Sequence, residues 1–134
     1  MAKLALVTLL VDSYDRGIVF FTEVLGFDLV EDSPSMTNAG EPKRWVVVQP
    51  PGGESGLLLA EADGPEQKAL IGKQMGGRVG FFYHVDDFAE TYRRMTEAGV
   101  DFTEVPRDEP YGRVVVFKDC FGNAWDLLGP AQAH

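Results

Sequence analysis

The sequence predicts an α+β fold made of two tandem βαβββ modules. Three observations predict it. First, "LVTLLVDSYDRGIVFFTEVLGFDLVED" is echoed later by "RVGFFYHVDDFAETYRRMTEAGVDFTEVP", with Val11-Asp12 falling on Val85-Asp86. Second, both segments pass from an apolar run through a helix-start signal to a glycine stop. Third, each helix is followed by three strand-like stretches.

The elements follow in order. Each module opens on an apolar strand, then "VDSYD" or "VDDFA". Ser13 and Asp87 occupy N-cap positions, where a short side-chain oxygen accepts a free backbone N–H. In the first helix Ile18, Phe21, Val24 and Leu25 recur at spacings of three and four. In the second, Phe88, Tyr92 and Met95 do so. Gly26 and Gly99 suit the left-handed position that closes a helix. One deletion in the second helix keeps these glycines matched. The predicted strands are "FDLVED", "RWVVVQPP" and "GLLLAEA" in the first half, and "VDFTEVP", "GRVVVFKD" and "NAWDLLG" in the second. Module one covers about 3–62, a linker about 63–77, and module two about 78–130 of a single domain. The linker carries a short predicted helix at Pro65 to Ile71. Its glycines lack the Gly-x-x-x-x-Gly-Lys-Ser/Thr pattern of a phosphate loop.

Composition narrows the function classes. The chain has 134 residues, 45% hydrophobic and 25% charged, enough for one domain with a real core. No apolar run reaches the roughly 18 to 20 residues of a membrane span. The apolar N-terminal run is followed by Asp12 and Asp15 rather than a small-residue cleavage site, so it reads as a first strand and the protein as cytoplasmic. The net charge of −9 argues against nucleic acid as a partner, because phosphate binding leans on Lys and Arg. The basic residues are scattered and form no membrane-binding patch. Cys120 is the only cysteine, which excludes an intrachain disulfide and a cysteine zinc cluster. It sits in a hairpin turn without an evident base beside it and reads as structural.

The segments at 7–27, 84–100 and 111–128 together resemble the vicinal oxygen chelate superfamily of glyoxalases, bleomycin-resistance proteins and extradiol dioxygenases. The last, "YGRVVVFKDCFGNAWDLL", is similar to that family's recurring G-R-x-x-x-F-x-D-P-x-G-N-x-x-E-L. Cys120 stands at the Pro and Asp126 at the Glu. The resemblance implies a partly open, barrel-like mixed sheet with helices outside, enclosing a metal or ligand cavity between the modules. It also implies a divalent metal held by His, Gln or Glu on strands of both modules.

Carried over position by position, the metal set falls on Leu6, Gly80 and Asp126. The last acid of the first module lies within "GLLLAEA", where a one-residue slip decides between a leucine and Glu61. Leucine and glycine side chains cannot coordinate a metal, so no metal or other cofactor is expected, with a divalent metal kept as the alternative. The chain has two histidines, His84 and the terminal His134, the latter expected to be mobile. By strand alternation residues 80, 82 and 84 share a face. His84 then reads as a general base or ligand contact, or as a rim or core histidine bonded to a neighbour. Asp126 reads as a substrate contact, base or remnant metal ligand, or as a carboxylate paired with Arg or backbone N–H groups. Thr8, Trp45, Phe82 and Tyr111 are the ligand-binding candidates, with core packing as their alternative. No Ser-His-Asp or Cys-His site can be assembled.

Three functions remain open. The first is a small-molecule binder of the bleomycin-resistance kind, without bound metal. The second is a lyase or dioxygenase of the same superfamily, metal-dependent or metal-free. The third is an interaction scaffold with a cavity filled by its own side chains. The resemblance also implies a homodimer.

Overall fold

The computed structural model describes residues 1–131; His134 lies outside the described residues. The chain divides into two compact units, residues 1–71 and Gly72 onward. No helix among the described residues is long and apolar enough to cross a membrane.

The first unit contains β1 (Leu6–Val11), α1 (Tyr14–Val19), β2 (Asp28–Met36), β3 (Pro42–Gln49), β4 (Gly56–Glu61) and α2 (Gly64–Leu70). Its sheet runs β1-β4-β3-β2, with β1 parallel to β4 and the other pairs antiparallel. The second contains β5 (Val79–His84), α3 (Phe88–Glu97), β6 (Asp101–Phe102), β7 (Arg107–Glu109), β8 (Gly112–Lys118) and β9 (Ala124–Gly129). Here the order is β5-β9-β8-β6, with β7 also pairing with β8 and β5 parallel to β9. The predicted α+β class and the repeat of strand, helix and antiparallel strands are both observed.

Both predicted caps form. Ser13 Oγ accepts from Arg16 N at 3.2 Å, and Asp87 Oδ1 from Glu90 N at 3.1 Å. Gly26 and Gly99 close their helices at φ of 79° and 82°. The linker helix forms at Gly64–Leu70 and buries no residue.

Three elements differ from expectation. The first helix does not stay α-helical: residues Phe20–Val24 wind as a π-helix. Leu25 N donates to Phe20 O at 3.1 Å, and Thr22 Oγ1 donates to Ile18 O at 2.7 Å. The wider winding turns Phe20, Phe21 and Leu25 inward together and leaves Val24 half-buried. The predicted strand "VDFTEVP" splits into β6 and β7. Pro106 lacks the N–H a continuous ladder needs. Glu104 bridges the gap, accepting from Val116 N at 3.1 Å. Finally, β2 runs on to Met36, and its Pro34 is tolerated because β2 is an edge strand.

Each sheet packs one face on its helix. In the first unit Phe21, Leu25, Leu9, Val46 and Leu59 are fully buried. Such side chains contribute roughly 1.5–3 kcal/mol each on leaving water. In the second, Phe81 stacks on Trp125 at 4.6 Å and Trp125 on Phe117 at 5.8 Å. The turn between β8 and β9 is organised by Asp119, 5% exposed. Its carboxylate accepts from Phe121 N, Asn123 N, Asn123 Nδ2 and Trp125 Nε1 at 2.9–3.3 Å. A charged acceptor buried among donors satisfies all of them at once.

Candidate functional site

The faces follow from the registers. In the second unit, Arg113 lies over the Phe88 ring of α3 at 5.3 Å and pairs with Gly129. Trp125, Leu127 and Gly129 therefore point to α3. Ala124, Asp126 and Leu128 point the other way. Asp126 stands opposite Phe82 on β5 and Val116 on β8. His84 stands opposite Leu128. Phe82, His84 and Asp126 are thus brought to one sheet face, as alternation predicted.

The β5–β9 register shifts between Val79 and Phe81, so Gly80 has no partner of its own on β9. A Cβ built there would meet Met75 Cγ at 2.2 Å.

Phe82 is 65% exposed and His84 is exposed. Asp126 is half-buried, and among the described residues its carboxylate has no hydrogen bond and no ion pair. Burial pushes its pKa above the usual carboxylate range. The Arg107 charge acts against that rise and the Glu104 charge adds to it. Arg107 pairs with Val114 across β7 and β8, and so lies on the same face. Its guanidinium is already engaged: Nη1 contacts Glu109 Oε1 at 2.8 Å and Nε contacts Glu104 Oε1 at 3.3 Å. Tyr111, 66% exposed, and Glu109 both hold the Arg107 guanidinium above its ordinary pKa. The Glu104–Arg107–Glu109 cluster is absent from the residues expected from sequence. The charges in "TEVPRDEPYG", on both sides of Pro106, were its available signal.

In the first unit, Arg44 lies over the Tyr14 ring at 5.1 Å, and Tyr14 N donates to Glu61 Oε2 at 3.1 Å. Arg44 and Glu61 thus face α1. Thr8, Trp45, Leu58 and Ala60 lie on the opposite face. Thr8 and Trp45, both ligand candidates, therefore share a sheet face. Trp45, 38% exposed, also lines a cleft of about 690 Å³ beside the tip of the β2–β3 hairpin. Asn38, Lys43, Leu58, Ala60 and Glu61 line it too. Its volume is in the range of small-ligand sites.

The registers also settle the fourth metal-equivalent position. Phe82 pairs with Asp126, and Thr8, its counterpart in the repeat, pairs with Leu58. Leu58 therefore takes the place left open in "GLLLAEA", and Glu61 is turned to α1. Of Leu6, Leu58, Gly80 and Asp126, only Asp126 offers a side-chain donor atom. These residues do not fit a divalent metal centre. Among the described residues no three His, Cys, Asp or Glu side chains gather to hold a cation.

What the second-unit face can do follows from its groups. His84 sits two residues beyond Phe82 along β5, roughly 7 Å from it. Its ring has no hydrogen bond or ion pair among the described residues. His84 and Asp126 therefore share a surface without forming a hydrogen-bonded acid–base pair. The face offers an exposed aromatic ring, a carboxylate with open acceptor capacity and a ring of apolar neighbours.

Comparison with known proteins agrees with this architecture. The glyoxalase/bleomycin resistance protein/dioxygenase superfamily matches residues 3–127. A protein of Shewanella frigidimarina (strain NCIMB 400) is 48% identical over 123 residues, 91% of this chain and 89% of its own. The crystal structure of UcmS2 is 32% identical and covers 96% of this chain and 98% of its own, with a TM-score of 0.76. TnmS3, described as an antibiotic binding protein from Streptomyces sp. CB03234, is 28% identical, covers 98% of each chain and has a TM-score of 0.76. The chain belongs to the glyoxalase/bleomycin resistance protein/dioxygenase superfamily.

Proposed function

We propose that the chain binds a small organic molecule through the side chains of its sheet faces, without a bound metal. One observation carries the reading: Phe82, a mid-strand aromatic 65% exposed, stands opposite the half-buried carboxylate of Asp126. An exposed ring with a polar anchor beside it is what an organic ligand's apolar body and polar edge require. Trp45 repeats the aromatic half of this arrangement on the first sheet. The similarity to TnmS3, an antibiotic binding protein, supports the same class of ligand. The absence of donor atoms at Leu6, Leu58 and Gly80 supports recognition by side chains instead of a metal.

The test is a binding screen on chelator-treated protein, using planar aromatic antibiotics and tryptophan fluorescence. Saturable binding of at least one compound, unchanged by added zinc, nickel, manganese or iron, is the expected result. Binding or turnover that appears only after metal is restored would overturn the reading, as would no binding at all.

A further inference from the structure

We infer that the ligand is an aromatic organic cation, whose protonated nitrogen is received by Asp126 while its ring system lies on Phe82. The inference rests on the small-molecule reading above and adds the charge and placement of the ligand.

The argument begins with what Asp126 lacks. A carboxylate on a half-buried strand face ordinarily meets Arg, Lys or backbone N–H groups. The Arg107 charge acts on it, but no cation on this face forms an ion pair with it among the described residues. Arg107 is held by Glu109 at 2.8 Å and Glu104 at 3.3 Å. Lys118, opposite Ala124, is exposed and forms no ion pair among the described residues. His84, opposite Leu128, has no partner among them either. Glu104, Glu109 and Asp126 outnumber Arg107 and Lys118, so the face carries net negative charge. The neighbours of Asp126 are apolar: Ala124, Leu128 and Val116 surround it, and Phe82 stands across from it.

Such a carboxylate is destabilised by its surroundings and is relieved by a cation that excludes water from it. A protonated amine supplies that charge. An attached aromatic body covers Phe82, where stacking and cation–π attraction act together. The chain's net charge of −9 draws cations and repels anions at longer range.

The test uses two three-ring probes of similar size, 9-aminoacridine, cationic at neutral pH, and anthracene-9-carboxylate, anionic. Binding to the full chain is followed by probe anisotropy at low ionic strength. The cation is expected to bind at least about tenfold more tightly than the anion. Asp126→Asn, which keeps the side chain's shape, is expected to weaken the cation by about tenfold and to leave the anion unchanged or improved. Phe82→Leu weakens the cation in a fold that circular dichroism shows intact. If both probes bind equally and Asp126→Asn changes neither, the cation assignment fails and small-molecule binding stands. If neither probe binds but the antibiotic screen finds a neutral or anionic ligand, the assignment fails again. If nothing binds in either experiment, both readings fall.

Discussion

Trp125 Nε1 donates to Asp119 Oδ2 at 2.9 Å inside the second unit, and both residues are buried. This bond ties the β8–β9 turn to the ring stack of Phe81, Trp125 and Phe117. Removing the carboxylate strands the indole N–H, the Asn123 side chain and two backbone N–H groups together. Asp119→Ala is therefore expected to cost about 3 kcal/mol or more, at roughly 1–3 kcal/mol for a buried donor left unsatisfied. Asp119→Asn keeps part of the network and costs less. Urea unfolding followed by far-UV circular dichroism measures both; a loss well under about 1 kcal/mol for the alanine variant would contradict the role given to Asp119.

Gly129 is constrained by close approach. A Cβ there would lie 2.6 Å from Phe88 Cβ, an atom fixed next to the α3 backbone. Gly129→Ala must push α3 off the sheet and is expected to destabilise by about 1–3 kcal/mol. Thermal unfolding with near-UV circular dichroism reports both the loss and any repacking of the aromatic stack.

The raised pKa of Asp126 gives stability a pH dependence of definite sign. Burial disfavours the charged form, so the folded state holds this proton more tightly than the unfolded chain. The resulting stabilisation is fully present below the unfolded-state pKa and is lost as pH rises through the folded-state value. Asp126→Asn removes the penalty of the charge. It is expected to raise the thermal midpoint at pH 7 and to leave it nearly unchanged at the acid end of the titration. Calorimetry at both pH values checks this; equal effects at the two would remove burial as the cause.

The two tryptophans separate by exposure, Trp45 at 38% and Trp125 at 3%. Trp125→Phe leaves only Trp45, whose fluorescence acrylamide is expected to quench several-fold more steeply than that of Trp125 in Trp45→Phe. Similar quenching constants would mean that Trp45 is covered in solution.

Much of this fold is legible in the sequence because it repeats. The caps at Ser13 and Asp87 and the glycines at 26 and 99 are local chemistry, and local chemistry survives folding. The site was less legible. Placing Phe82, His84 and Asp126 together needed only strand alternation, which held from Phe81 onward. The register shift beside Gly80 was not legible, because a periodic pattern does not encode a bulge. Glu61 was undecidable for the same reason: its face depends on pairing with β1, resolved only by the hydrogen bond from Tyr14 N. The Arg107 cluster was missed because Pro106 splits a strand that the hydrophobic pattern presents as whole.

The π-helical turn at Phe20–Val24 accounts for a difference in length between the two halves. Tyr14 and Phe88 open corresponding helices, and Gly26 and Gly99 end them, yet the first carries one residue more. A π turn takes up one extra residue within a helix. An extra residue inside a strand inverts the side chains beyond it unless a bulge absorbs it, as beside Gly80. The additional residue is held where it costs only a local widening, and the strand pairs on either side keep their alignment. Deleting Glu23, exposed within that turn, is expected to return the segment to ordinary α winding with Gly26 still closing it, a change readable from amide hydrogen-bond couplings by NMR.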